Sequence, residues 1–80
     1  MLKIKDNVDL KELEKFGFKY IVSRGRYELS TRGYTLTYIN VWNRAITVNI
    51  LSGDITNDID IFPIYDLIKA DLVEKVEEWN

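Results

Sequence analysis

The stretch YTLTYINVW, residues 34–42, decides the fold of this chain. Aromatic and β-branched residues alternate along it, which is typical of a β-strand with two distinct faces. In an unbroken strand one face carries Tyr34, Leu36, Tyr38 and Trp42, and the other carries Thr35, Thr37, Ile39 and Val41. Because both faces are partly apolar, the pattern leaves open which of them lies in the core.

The same alternating period extends from Phe18 to about Ile61 and is interrupted by turn signals. These are SRGR at 23–26, TRG at 31–33, WNR at 42–44 and SGD at 52–54, each with a Gly or Asn for a tight reversal. Such short spacings allow only hairpins, so we predict a four- to five-stranded antiparallel meander. Its clearest member is AITVNIL at 45–51, with apolar Ile46, Val48 and Ile50 on one face.

The N-terminal region predicts a short strand followed by a short helix. LKIK at 2–5 alternates apolar and basic residues, as a strand does. The helix is predicted from about Asp9 to Phe16, with Asp9 as its cap, Glu12 completing a capping box and Gly17 as a left-handed stop. One face of this helix carries three apolar residues spaced three apart, Leu10, Leu13 and Phe16. We expect Phe18 to fold back onto that face.

The C-terminal region, FPIYDLIKADLVEKVEEW at 62–79, returns to helical spacing. Pro63 suits a first helical turn. One apolar stripe is formed by Ile64, Leu67, Ile68, Leu72, Val76 and Trp79. We predict one continuous helix packed on one face of the sheet, and the alternative is a break near Ala70, where Asp71 and Glu74 form a second capping pattern.

Length and composition indicate one α+β domain over residues 1–80. At 80 residues and 46% hydrophobic content the chain should fold, but with a thin core. It has no cysteine, so disulfides cannot supplement that core, and the composition suits a reducing compartment. MLKIKDN lacks a signal-peptide core, and no apolar run is long enough to span a bilayer. We therefore expect a cytoplasmic protein without membrane association.

The side-chain inventory argues against an enzyme. The chain has neither histidine nor cysteine, and its serines adjoin turn signals without a recognisable base. We interpret the many carboxylates as solvated groups on helix faces and turns, and we expect no cofactor.

One pattern resembles a metal-binding loop. Oxygen-bearing side chains occupy the first, third, fifth and seventh positions of an EF-hand-like loop at Asp54, Thr56, Asp58 and Asp60. The match then fails, because Ile59 stands at the glycine position and Tyr65 at the position of the bidentate glutamate. We interpret this segment as a polar turn and predict no metal site.

The two ends of the chain resemble a known group of proteins. LKIKDNVDLKELEKFGF at 2–18 and IYDLIKADLVEKVEEW at 64–79 are similar to the ends of small proteins of unknown role encoded in prophages and bacteriophages of Gram-positive bacteria. The resemblance covers about 33 of the 80 residues. It implies a phage-related genetic context and no site residues.

The middle of the chain carries the candidate binding residues. All the arginines lie between positions 24 and 44, whereas residues 54–80 are strongly acidic. The candidates are Arg24, Arg26, Tyr27, Arg32, Tyr34, Tyr38, Trp42 and Arg44. An open aromatic face flanked by arginines can stack bases and contact phosphates. The alternative, which we favour, is that helices cover this face, the aromatic rings are core and the arginines pair with the acidic C-terminal helix.

From these features we expect a small non-enzymatic protein that acts through protein–protein interaction. A meander with one helix and a half leaves a sheet face to solvent or to a partner. The expected partner is another protein or a second copy of the chain in a homodimer. Binding of single-stranded nucleic acid through the Arg/Tyr-rich sheet face is the alternative.

Overall fold

The computed structural model describes residues 1–31, 35–50 and 61–77. In chain order the elements are β1 (Leu2–Ile4), a first 3₁₀ helix (Leu10–Phe16), β2 (Lys19–Ile21), a second, one-turn 3₁₀ helix (Val22–Arg24), β3 (Arg26–Thr31), β4 (Thr35–Asn40), β5 (Ile46–Ile50), α1 (Phe62–Lys69) and β6 (Val73–Lys75). The protein is α+β, as the sequence predicts.

Within the described residues, β2 to β5 form an antiparallel sheet in sequential order, which confirms the meander. Tyr27 lies opposite Ile39 on β3 and β4, and Thr37 lies opposite Val48 on β4 and β5. The turn signal at 23–26 forms a reversal in which Gly25 has a φ of 62°. The signals at 31–33 and 52–54 lie wholly or largely outside the described residues.

The first 3₁₀ helix lies where the sequence predicts a helix. Asp9 caps it by accepting a hydrogen bond of 3.0 Å from the Lys11 amide, and Gly17 ends it with a φ of 94°. The Glu12 carboxylate pairs with Lys15 rather than completing a capping box. The 3₁₀ form fits the sequence because residues three apart eclipse one another in it, so the apolar residues at positions 10, 13 and 16 align on one side.

The hydrophobic core lies on one face of the meander. Its buried side chains are Ile4, Leu13, Phe18, Tyr27, Ile39 and Leu67. Along β4, Thr35, Thr37 and Ile39 face this core, while Leu36 and Tyr38 point to the other side. The helices therefore do not cover the aromatic face of β4. The interpretation that we favoured from the sequence is wrong on this point, because the threonines and Ile39 occupy the inner positions.

The C-terminal region is a helix followed by a strand, so the predicted continuous helix is wrong. α1 ends at Lys69, and Asp71 takes a left-handed φ of 63°. The Asp71 amide donates to the Ile68 carbonyl at 3.0 Å, and the Leu72 amide donates to the Leu67 carbonyl at 3.1 Å. These two bonds form a Schellman motif, which terminates a helix. Leu72 packs against the core just beyond this turn.

After the turn, the chain pairs with its own beginning. β6 runs antiparallel to β1, with Ile4 opposite Val73 and Leu2 opposite Lys75. Val76 continues the pairing by donating to the Met1 carbonyl at 2.8 Å. The predicted apolar stripe is consequently split: Ile68 is 49% exposed on α1, and position 79 lies outside the described residues.

The packing of α1 gives a first prediction. Leu67 is fully buried in the core, so Leu67→Ala should lower the free energy of unfolding by about 2–5 kcal/mol. Ile68→Ala, on the exposed side of the same helix, should cost less than about 1 kcal/mol. Urea denaturation of both variants measures the difference. Equal losses at the two positions would contradict the assigned inner face of α1.

Candidate interaction surface

The face of the meander opposite the core is the first part of the candidate surface, and we call it the outer face. From the strand register it is formed by Lys19, Ile21, Arg26, Glu28, Ser30, Leu36, Tyr38, Asn40, Thr47 and Asn49. These side chains are half-buried or exposed, whereas the buried side chains of β3 and β4 alternate with them on the opposite face; the buried ones are Tyr27, Thr35, Thr37 and Ile39. The outer face therefore combines charged, hydroxyl, amide and apolar groups on one rigid sheet.

Two arginines on this side share one carboxylate. Arg24 donates from one guanidinium nitrogen to both Glu28 oxygens, at 3.0 and 3.1 Å, and Arg26 donates its Nε to the same carboxylate. Burial raises the pKa of the Glu28 carboxyl, but the hydrogen bonds from Arg26 and Arg24 outweigh this effect and leave the pKa lowered. Glu28 therefore stays ionised at neutral pH and holds both guanidinium groups.

Tyr38 lies beneath this cluster. The guanidinium carbon of Arg26 is 3.9 Å from the centre of the Tyr38 ring, a cation–π contact. Glu28 and Tyr38 are directly opposite each other on β3 and β4, so the register of the sheet itself assembles the group. One face of the Tyr38 ring is thereby already occupied by a side chain of the protein.

Positive charge is in excess on this side of the sheet. Lys19 is exposed and lies opposite Glu28 on the neighbouring strand, yet Glu28 pairs with Arg24 and Arg26. Among residues 1–31, 35–50 and 61–77, Lys19 has no ion-pair partner. The three cations around a single carboxylate make this part of the outer face attractive to anionic groups.

A groove runs along β2 and β3 beside the cluster. Its volume is about 300 Å³. Its lining includes Gly17, Lys19, Ile21, Glu28, Ser30 and Leu36. Apolar side chains from these strands thus lie next to the ammonium group of Lys19.

The second part of the candidate surface is one end of the sheet, where two turns lie side by side. The Val41 amide donates to the Gly25 carbonyl at 3.1 Å, which joins the β2–β3 turn to the β4–β5 turn. Large apolar side chains project from both turns, since Trp42 is 83% exposed and Val22 is 78% exposed. Arg24 lies in the first of these turns. We call Val22, Arg24, Val41 and Trp42 the turn-end patch.

Arg44 has a structural position rather than an open one. Its guanidinium donates to the backbone carbonyls of Lys5 and Val8, both at 2.7 Å, and its own carbonyl accepts from the Ile4 amide at 2.9 Å. The residue adopts a left-handed φ of 64°. These contacts join the β4–β5 turn to the N-terminal segment.

The other predicted binding residues are divided among different environments. Tyr27 is in the core, where burial raises the pKa of its hydroxyl and its ring packs 5.2 Å from that of Tyr20. Arg32 and Tyr34 lie outside the described residues. Within the described residues, Arg24 and Arg26 pair with Glu28 and Arg44 binds backbone carbonyls, and none of the three pairs with the part of the acidic C-terminal region at 61–77, where we expected partners.

Sequence reasoning missed several contributors to this surface, among them Lys19, Glu28 and Val22. For Glu28 a signal was available, because positions 26 and 28 share a strand face and position 24 lies four residues away. The exposure of Val22 carried no such signal, since valine is more often buried than exposed.

The described residues contain no group of acidic side chains that could hold a metal ion. The EF-hand-like segment at 54–60 lies outside them. No helix among the described residues is long and apolar enough to cross a membrane.

Comparison of the chain with protein-family models, with curated proteins and with solved structures finds no match.

The position of Arg44 gives a second prediction. Arg44→Ala should lower the free energy of unfolding by about 2–3 kcal/mol, because it removes two charge-assisted hydrogen bonds from part-buried carbonyls. Arg24→Ala removes a more exposed ion pair and should cost less than about 1 kcal/mol. Thermal and urea unfolding of the two variants compare them directly. A larger loss for Arg24→Ala would contradict these structural assignments.

Proposed function

We propose that this protein is a non-enzymatic protein-interaction module that binds its partner through the turn-end patch. The observation that carries the proposal is the exposure of Trp42, which is 83% accessible on a turn whose backbone is hydrogen-bonded to the turn that contains Val22 and Arg24. Tryptophan and arginine are enriched among the residues that dominate protein–protein binding energies. Exposed apolar side chains on adjoining segments, here Val22, Val41 and Trp42, can mark a protein-interaction site.

The chemistry of the surface supports binding rather than catalysis. Acid–base catalysis near neutral pH uses a carboxyl group whose pKa is raised, or a histidine. The pKa of Glu28, the half-buried carboxylate of the outer face, is lowered instead. The chain contains no histidine or cysteine.

The partner in this proposal is a protein of the host cell or a second copy of the chain. The phage-related context implied by the chain ends fits a small accessory protein that acts on a host component. A homodimer through the turn-end patch would bury the same apolar side chains.

A tryptophan substitution tests the proposal. Trp42→Ala should weaken partner binding or self-association by about 2 kcal/mol or more, roughly 30-fold, because it removes the main apolar anchor. The melting temperature should stay unchanged, since Trp42 contributes little to the core. Capture from lysate of the source cell and sedimentation at up to about 1 mM provide the two readouts.

The matched control is Tyr65→Ala, which removes an exposed aromatic ring on α1, outside the turn-end patch. This variant should bind the partner, or self-associate, with the same affinity as the wild-type protein. If wild-type protein neither self-associates nor retains a partner, or if both variants lose binding equally, the turn-end patch is not the binding site.

Nucleic-acid binding is the second candidate, favoured by the excess of positive charge around Glu28. Against it, Arg26 already covers one face of the Tyr38 ring, so a base has less aromatic surface on which to stack. Glu28 also occupies the guanidinium groups that would contact phosphates.

A titration with labelled single-stranded DNA and RNA separates the two candidates. We expect a Kd for either nucleic acid that is weaker than about 100 μM, even at low salt. Non-specific nucleic-acid-binding proteins usually bind more tightly than this limit. Tighter binding with a log–log salt slope of about −0.7 for each phosphate contacted would support the nucleic-acid function and contradict our expectation. In that case Lys19→Ala should make the slope less steep.

A further inference from the structure

The groove along β2 and β3 is separate from the Trp42 side chain and has its own chemistry. Ile21 and Leu36 supply an apolar lining, and Lys19 and Ser30 lie beside them. A volume of about 300 Å³ accommodates one or two side chains of a partner. The geometry thus favours a short extended segment over a large ligand.

The charge around the groove selects the kind of segment. Glu28 is the one carboxylate among the described residues that line the groove, and its two oxygens are engaged by Arg24 and Arg26. The ammonium group of Lys19 has no such partner within the described parts of the chain, and its strand neighbour Glu28 is already shared. A carboxylate from outside the chain would therefore gain an ion pair with Lys19 without displacing one made by the described residues.

The lining also discriminates between peptides and nucleic acids. Its apolar members are aliphatic, and the neighbouring aromatic ring, Tyr38, lies beneath Arg26 at 3.9 Å. Base stacking needs an accessible aromatic face, whereas Ile21 and Leu36 offer the contact that an aliphatic side chain prefers.

We propose that this groove binds an acidic peptide segment of the partner protein, with aliphatic side chains against Ile21 and Leu36 at its two ends and a carboxylate on Lys19. The proposal rests on the proposed function and adds to it the chemistry of the partner. The groove and the turn-end patch adjoin at consecutive residues, Ile21 and Val22, and Arg24 reaches from the patch to Glu28. One partner can therefore contact both.

The test is a fluorescence titration with a labelled eight-residue peptide that contains two isoleucines flanked by aspartates. Wild-type protein should bind it with a Kd of about 10–500 μM at low salt, and added salt should weaken binding because the ion pair is exposed. Replacing the aspartates with asparagine, or the isoleucines with serine, should each weaken binding at least about 10-fold.

Variants of the protein locate the site. Lys19→Glu should weaken binding of the acidic peptide at least about 10-fold. The matched control, Lys11→Glu, reverses the charge of another exposed lysine on the first 3₁₀ helix and should leave the affinity within about twofold of wild type. Circular dichroism melts of both variants verify that the fold is retained.

Several outcomes would overturn the proposal. These are no binding of the peptide at about 1 mM, equal losses for Lys19→Glu and Lys11→Glu, or equal affinity for the asparagine peptide. Tighter binding of a single-stranded RNA of the same charge, lost in Lys19→Glu, would assign the groove to nucleic acid instead. If the peptide fails to bind while Trp42-dependent capture of a protein persists, the groove proposal fails and the interaction module stands.

Discussion

The architecture depends on the contacts that Arg44 makes between the meander and the N-terminal segment. Its guanidinium binds the carbonyls of Lys5 and Val8, and its own carbonyl accepts from Ile4, the last residue of β1. Through these bonds the β4–β5 turn holds β1, and β1 in turn holds β6. A left-handed backbone costs a non-glycine residue of this kind about 1–2 kcal/mol, which the charge-assisted bonds offset. The two sheets consequently enclose one core.

The sequence predicts the parts of the fold that are local. Alternation from Phe18 onward and glycine-containing turns specify hairpins, because each pairing joins neighbouring segments. The C-terminal pairing is different, since three residues of β6 meet β1 from the far end of the chain. Their apolar spacing continues that of α1, and the residue that ends the helix, Asp71, is not the glycine that normally signals a Schellman motif. The alternative of a break near Ala70 places the end of the helix correctly, but the apolar period gives no sign that the chain continues as a strand paired with β1.

The candidate surface was predictable to a similar extent. Alternation along β4 correctly places Leu36 and Tyr38 on the face opposite the threonines. Both faces contain apolar residues, however, so the pattern does not show which face packs against the core. The deciding fact is that Thr35 and Thr37 are buried, which opposes the usual preference of polar residues for solvent. The sequence likewise shows where the arginines are concentrated, but the role of each depends on what it contacts. Arg26 lies on the Tyr38 ring, and Arg44 donates hydrogen bonds to backbone carbonyls. The spacing of positions 24, 26 and 28 is compatible with a cluster, and the structure shows that Glu28 binds both Arg24 and Arg26.

The pairing of the two ends has a consequence for the order of folding. The hairpins of the meander close short loops and can form early, whereas the contact between Met1 and Val76 spans 75 positions. Loop-closure entropy grows with the length of the loop, and proteins rich in distant contacts fold slowly. We expect the β1–β6 ladder to form after the meander. The late step is then the docking of both termini onto a preformed sheet, so the rate of refolding would respond more to changes in the hairpin turns than to changes in β6.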